Sequence, residues 1–256
     1  PVAIALDADS GATLYARHAD DVRAIASLTK LFVALVVRRH HLPLDGDSAI
    51  GPDEARASAG GATTALPQGE VFGNRDLLYA MLLSSENRVP TALARAVGLS
   101  PDALVDALGK LAADLGLDHT QFTDATGIAG NASTARELAL AFREVLRDPL
   151  LARIMTTRRA QVASRSGTTR ARYTSTVQPL WDSPYKILGG KTGHTTDAGY
   201  CLVIAAELGG RPVIIAVLGA RSPQARFDDF ARLADWLAAP PARARAMAAV
   251  AAARSE

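Results

Sequence analysis

Apolar positions along this chain change their spacing twice. Near the N-terminus "VAIALDAD" (2–9) and "ATLYARH" (12–18) read as β-strands, and Ser10 and Gly11 between them carry hairpin-turn chemistry. Near the other end "GYCLVIAAEL" (199–208) and "RPVIIAVLGA" (211–220) are unbroken runs rich in Val and Ile. Gly209 and Gly210 join them as a two-residue turn that accepts positive φ. "YKILGG", just before Lys191, adds a third strand there, and "SPQARFDDFARLADWLAA" (222–239) has helical spacing with Ser222 as N-cap and Pro223 at the first helical position.

The middle of the chain reads as helices. "NRDLLYAMLLS" is predicted to start with Asn74, and "SPDALVDALGKLAADLG" to start at Ser100 and Pro101 and stop at Gly116. "TARELALAFREVLRD" places Thr134 and Glu137 at capping-box spacing. The pattern predicts an α/β (α+β) fold: one antiparallel β-sheet built from both chain ends, with flanking helices and an all-helical lobe, about residues 40–160, inserted between them. Residues 1–239 form a single domain in this reading, and the Ala/Arg-rich 240–256 is a frayed or weakly helical tail.

One helix is unusual. In "RAIASLTKLFVALVVRR" (23–39) every residue from Leu28 to Val37 is apolar except Thr29 and Lys30, so the helix is expected to be buried on all sides. A lysine in such a place either snorkels to water or serves a site.

Composition narrows the function classes. The 256 residues suffice for a sizeable core, and 48% hydrophobic with 21% charged is ordinary for a globular protein. A net charge of +2, from 28 basic and 26 acidic residues, gives no reason to expect a nucleic-acid partner. Cys201 is the single cysteine, which excludes an internal disulfide and a cysteine-based metal cluster. No run reaches the ~18 apolar residues of a membrane span. The chain opens on a strand rather than a signal peptide, so an exported protein would have lost its leader from this sequence.

Three short elements carry candidate chemistry. Ser27 and Lys30 lie three residues apart, on one helix face, so the amine can act as base to the hydroxyl if burial draws its pKa from ~10.4 toward ~7–8. Ser85 and Asn87 sit in a turn between two helices, before Pro90, where a hydroxyl and an amide could relay a proton and hold an amide substrate. Lys191, Thr192 and Gly193 lie on a strand. There Lys191 gives positive charge, Thr192 a donor to a carboxylate, and Gly193 a place for a substrate backbone to approach closely. Taken alone, the first two could be no more than a capping serine, a snorkelling lysine and an ordinary helix–turn–helix cap. No ligand set for a metal is visible, and no cofactor is implied.

In this order the S-x-x-K, S-x-N and K-T-G elements are the active-site set of serine β-lactamases and penicillin-binding proteins. From about residue 2 to 239 the chain resembles the low-molecular-mass penicillin-binding proteins, the D-alanyl-D-alanine peptidases. "ASLTKL", "FTDATGI" (122–128), "STARELA" (133–139) and "KTGHTTDAGYCLV" all look like that family. Within it, "LLSSENR", with Glu86 where the carboxypeptidase branch usually has Gly, looks most like the D-alanyl-D-alanine endopeptidases. The 17 residues after Ala239 are too few for the extra β domain of the larger carboxypeptidases.

The resemblance implies that Ser27 is acylated, that Lys30 is its base, and that Ser85 and Lys191 carry a proton to the leaving amine. It implies that Asn87 binds the substrate amide, and that the backbone N–H groups of Ser27 and His194 form an oxyanion hole. Arg221, in "LGARSP", resembles a position that helps hold the substrate carboxylate. Implied partners are peptidoglycan stem peptides, with β-lactams as covalent inhibitors, and the implied place is the periplasm or cell envelope. Two points depart from the family's pattern or leave it open. "YTSTVQ" has Ser175 and Val177 where an Asn-rich stretch is usual, and Ser84 precedes Ser85, although the S-x-N spacing favours Ser85. A β-lactamase is the competing reading, but a class A enzyme needs a deacylating glutamate. Between Asn87 and Lys191 only Glu137 and Glu144 occur, both inside a patterned helix. A non-catalytic binding or sensor domain would have no use for the lysine base.

Overall fold

The computed structural model describes residues 1–62 and 64–239, so the Ala/Arg-rich tail lies outside the described residues. Strands β1 (Val2–Asp7) and β2 (Thr13–Arg17) form the first hairpin, where the Asp7 carboxylate accepts from the Ser10 amide and hydroxyl. A two-residue β3 (Arg23–Ala24) leads through a 3₁₀ turn, Ala26–Leu28, into α1 (Thr29–Arg39). Then come β4 (Asp47–Ala49), α2 (Pro52–Ala57), β5 (Val71–Gly73), α3 (Asn74–Ser84), α4 (Val89–Ala96) and α5 (Pro101–Asp114). Next are β6 (Ala132–Ser133), α6 (Ala135–Arg147), α7 (Pro149–Thr156), and a hairpin of β7 (Arg159–Ala163) with β8 (Arg170–Thr174). The one-turn α8 (Pro179–Asp182) precedes three long strands, β9 (Lys186–Thr195), β10 (Gly199–Leu208) and β11 (Arg211–Ala220), and α9 (Pro223–Ala238) follows.

Both chain ends meet in one antiparallel sheet of order β2-β1-β11-β10-β9, with Val2 opposite Leu218 and Asp7 opposite Val213. Gly209 and Gly210 take φ of 58° and 85°, the mirror-image turn that matches strand twist. The sheet is covered on both faces. Ile4, Leu6, Val203, Ala205 and Ala216 join the core built on α1, α3 and α6, while Ala5, Leu202, Ile204, Ile215 and Val217 pack with Phe227, Phe230 and Leu237 of α9. Each strand therefore needs apolar residues at odd and even positions, which explains its unbroken apolar run.

Helix α1 is enclosed as expected, with all residues from Thr29 to Val37 buried. Ser100 and Ser222 cap α5 and α9 through the amides of Ala103 and Ala225, and Gly116 turns the chain after α5 at φ 67°. Helix α3 starts with Asn74 as expected, and the buried Asn74 amide bridges the Ser48 hydroxyl and the Pro43 carbonyl instead of capping the helix. One predicted capping box differs. Thr134 does accept from the Glu137 amide, but the Glu137 carboxylate turns away to accept from the His119 amide and the Thr120 hydroxyl, so the capping box is half formed. Among the helices lie three two-stranded ladders, β3 with β6, β4 with β5 and β7 with β8, which the patterning did not show.

Asp148 caps α7 through the amides of Leu150 and Leu151 and also accepts from Arg38 Nε at 2.8 Å, tying the end of α1 to the start of α7. Asp148→Ala is expected to lose about 1–2 kcal/mol, a fall in Tm of about 3–6 °C by calorimetry. Arg38→Ala, which leaves the cap intact, should lose less.

Candidate active site

A cleft of about 500 Å³ opens where the 3₁₀ turn, the α3–α4 turn and the end of β9 converge, with Ser27, Ser85, Asn87 and His194 on its walls. Two of these positions depend on left-handed backbone at non-glycine residues, Ala26 at φ 48° and Ser85 at φ 61°. Such a conformation costs on the order of 1 kcal/mol and persists where surrounding packing enforces it. That packing includes two glycines. A Cβ at Gly127 would fall 2.0 Å from the Ala26 carbonyl oxygen, and one at Gly193 would fall 2.9 Å from the Ile25 oxygen and 3.2 Å from the Ser27 nitrogen. The missing side chain of Gly193 therefore makes room for the turn that carries Ser27. β9 is also the sheet's edge strand, as the peptide-pairing idea required.

Lys30 does not snorkel. Its residue is fully buried, and Nζ donates to the Thr126 carbonyl at 2.6 Å and to Ser27 Oγ at 3.2 Å. Burial draws its pKa down to about 7, against the opposing pull of the Asp124 and Glu86 charges. The Thr126 carbonyl is presented by a small knot. Asp124 accepts from the amides of Thr126, Gly127, Ile128 and Ala129, and Asn131 Nδ2 donates to the Asp124 carbonyl and to Thr29 Oγ1. Neither Asp124 nor Asn131 was singled out from sequence, although the Asp-x-x-Gly turn inside "FTDATGI" was there to read.

Lys191, also fully buried, donates to Ser85 Oγ and, at 2.9 Å, to the Thr192 carbonyl. Burial first, then the Lys30 and Arg226 charges, push its amine well below the ordinary lysine range. Ser84 is held elsewhere: its hydroxyl donates to the Thr174 carbonyl and accepts from the Thr174 amide, which leaves Ser85 as the serine facing Lys191. Asn87 lines the cleft, and its Oδ1 is buried with no hydrogen-bond partner among the described residues. Thr192 Oγ1 meets Thr176 Oγ1 at 2.6 Å, and the exposed His194 ring stacks on Tyr200. Among the described residues no cluster of His, Cys, Asp or Glu is placed to hold a metal ion.

Arg221 is exposed and does not line this cleft. The guanidinium that reaches the strand is that of Arg226, one turn into α9, which donates to the Gly193 carbonyl at 3.2 Å and lies over the Tyr200 and Phe227 rings. Arg226 was not singled out from the sequence, and only the packing of α9 against the sheet reveals its reach. Glu86 and Arg88 likewise turn away from the cleft. Glu86 accepts from the Ala65 amide and the Tyr173 hydroxyl, and Arg88 Nη1 donates to the Leu66 carbonyl, so together they moor the segment whose Gly60, Gly61 and Ala62 form one cleft wall.

A five-stranded antiparallel sheet with inserted helices and two serine–lysine pairs at its edge defines the fold of the penicillin-binding D,D-peptidases. A DD-transpeptidase of Streptomyces shares it with a TM-score of 0.82 and 29% identity over 90% of this chain and 94% of that one. So does a D-alanyl-D-alanine carboxypeptidase of Mycobacterium tuberculosis, with a TM-score of 0.82, 30% identity and 92% and 89% coverage. The chain belongs to the D-alanyl-D-alanine carboxypeptidase family of serine peptidases, which matches residues 1–222. D-alanyl-D-alanine endopeptidases of Pseudomonas aeruginosa and Escherichia coli are 34% and 30% identical over 92% of the chain and 76% of their own length.

Removing the Glu86 carboxylate should loosen the moored wall. In Glu86→Ala the Ala65 amide loses an ionic acceptor, and its hydrogen exchange is expected to quicken about 10- to 100-fold. Unchanged protection at Ala65 would show that other contacts hold the segment.

Proposed function

We propose that this cleft is the active site and that the enzyme opens peptidoglycan cross-links as a D-alanyl-D-alanine endopeptidase. In this reading Ser27 Oγ attacks the D-alanyl carbonyl and Lys30 Nζ takes its proton. The tetrahedral oxyanion is met by the N–H groups of Ser27 and His194. As the C–N bond breaks, a proton passes through Ser85 and Lys191 to the departing amine, leaving an ester on Ser27 that water then hydrolyses. Asn87 binds a substrate amide, and Thr192, with Arg226 behind the strand, serves the leaving group's carboxylate.

The observation that carries the mechanism is a fully buried lysine, its pKa near 7, hydrogen-bonded to a cleft serine. The choice of bond rests on the cleft wall. Gly60, Gly61 and Ala62 are exposed and nearly without side chains, which leaves room for a leaving group larger than D-alanine. The two endopeptidase relatives support the same choice. Slow deacylation is supported by the engagement of three acids: both Glu86 oxygens, the Asp124 carboxylate and the Glu137 carboxylate accept from protein donors, which leaves Asp197 as the acid that lines the cleft. A β-lactam should therefore remain as a stable ester. Such work belongs in the cell envelope.

Penicillin is expected to label Ser27 one to one by mass spectrometry, with a long-lived adduct. Its acylation rate should rise with pH through about 7 as the Lys30 ammonium loses its proton. Lys30→Ala should cut that rate about 10²–10⁴-fold. A profile flat across pH 7, or a near-normal Lys30→Ala, would remove Lys30 as the base.

Cross-linked muropeptide dimers should be cut to monomers faster than monomeric pentapeptide loses D-alanine, as read by chromatography of both digests. The reverse order, with dimers intact, makes the enzyme a carboxypeptidase.

A further inference from the structure

Between Asp148 and Asp182 the chain carries six arginines, Arg153, Arg158, Arg159, Arg165, Arg170 and Arg172, and no acidic residue. Most of them lie in the β7–β8 hairpin, where alternation sends Val162, Ala171 and Tyr173 inward. The outward row pairs Arg159 with Thr174, Gln161 with Arg172 and Ala163 with Arg170, all exposed. Diagonal and next-but-one neighbours in a sheet stand ~7 Å apart, so Arg159, Arg170 and Arg172 form one cationic face.

Most arginines elsewhere are paired, although exposed Arg17, Arg39 and Arg221, scattered apart in the sequence, have no carboxylate partner among the described residues. Arg38, Arg56, Arg75, Arg95, Arg136, Arg147 and Arg232 each have a carboxylate partner. In the hairpin only Arg165 does, with Asp47. Arg170 and Arg172 have no ion pair or hydrogen bond among the described residues, and Arg159 only stacks on Trp181, itself 38% exposed. Unpaired like charges side by side repel one another, and an anion from outside relieves that repulsion.

The face also adjoins the cleft. Thr174, opposite Arg159, exchanges hydrogen bonds with Ser84, the neighbour of Ser85, and two residues further on Thr176 touches Thr192. A polymer whose scissile bond lies at Ser27 has its flanking stems within reach of this hairpin.

We propose that the outer face of the β7–β8 hairpin is a docking surface for the peptidoglycan polymer, with Arg159, Arg170 and Arg172 engaging the free carboxylates of stem peptides beside the one being cut. This rests on the peptidase reading for the identity of the polymer, and adds a second contact that holds the enzyme on an insoluble substrate. Attraction between exposed charges is screened by salt, so the contact weakens as ionic strength rises.

The test is co-sedimentation of the full chain, previously acylated with penicillin so that the cleft is closed, with purified sacculi across a salt series. Wild-type protein should pellet at low salt and be released as salt rises. The double variant Arg170→Glu with Arg172→Glu should bind about tenfold more weakly while still taking up penicillin one to one, and Arg170→Gln with Arg172→Gln should fall between. Should the glutamate variant fail to take up penicillin, the glutamine variant alone decides. Equal sedimentation of the wild type and a penicillin-competent variant, or binding indifferent to salt, overturns the proposal. So does a loss confined to vesicles of anionic phospholipid, which would assign the face to a membrane. Failure of the peptidase reading would appear separately, as unacylated wild type or uncut dimers.

Discussion

Two lysine amines inside a protein with no access to water are the constraint around which this molecule is arranged. Each needs an acceptor, and each site supplies a hydroxyl and a main-chain carbonyl: Ser27 and Thr126 for Lys30, Ser85 and Thr192 for Lys191. Burial draws both amines toward neutrality, because a charged amine loses more on leaving water than a neutral one. A neutral amine is a base, so the desolvation that costs the fold also leaves a base beside each hydroxyl. The rest of the site follows from the need to bring these acceptors close. Left-handed Ala26 and Ser85 aim the hydroxyls, and the Asp124 and Asn131 knot fixes the Thr126 carbonyl.

Much of the scaffold was readable because its signals are local. The strands at both ends, the Gly209 and Gly210 turn, and the Ser100 and Ser222 caps depend on residues within a few positions of one another. The relation of Ser27 to Lys30 is equally local, three residues on one face. Gly193 was identified, but its contact with the Ser27 turn was not, because that neighbour lies more than 160 residues earlier. Glu86 was noticed as a likeness to the endopeptidase branch, yet its partners, Ala65 and Tyr173, come from two other segments. The exchange of Arg221 for Arg226 has a similar cause. Residues five apart on and beside a helix start point in different directions, and helix packing decides which one meets the strand. The three small ladders escaped notice because two to five residues give too little alternation to register.

The wall of the cleft shows how a buried carboxylate can act at a distance. Glu86 sits in the middle of the turn that carries Ser85 and Asn87, and it grips the Gly60, Gly61 and Ala62 segment through the neighbouring Ala65 amide. A Cβ added at Gly61 would come within 2.3 Å of Asn87 Nδ2, so that wall and the Asn87 side chain touch. One side chain thereby couples the width of the cleft to the placement of its polar groups.

The sheet imposes a parity on everything attached to it. On β9, Lys191 and Gly193 lie opposite Val203 and Cys201 on the face toward α1, whereas Thr192 lies opposite Leu202 on the face toward α9. Inserting a single residue upstream in that strand would exchange the two faces, sending the amine into the α9 core and a threonine against the Ser27 turn. Insertions of two residues would keep the faces and shift only the position along the strand. Length variation in this strand is thus constrained to even steps unless a bulge absorbs the odd one, as it does where β10 slips against β9 between Ala205 and Ala206. The lineage of such an enzyme can vary its loops freely, but it must count its strands in pairs.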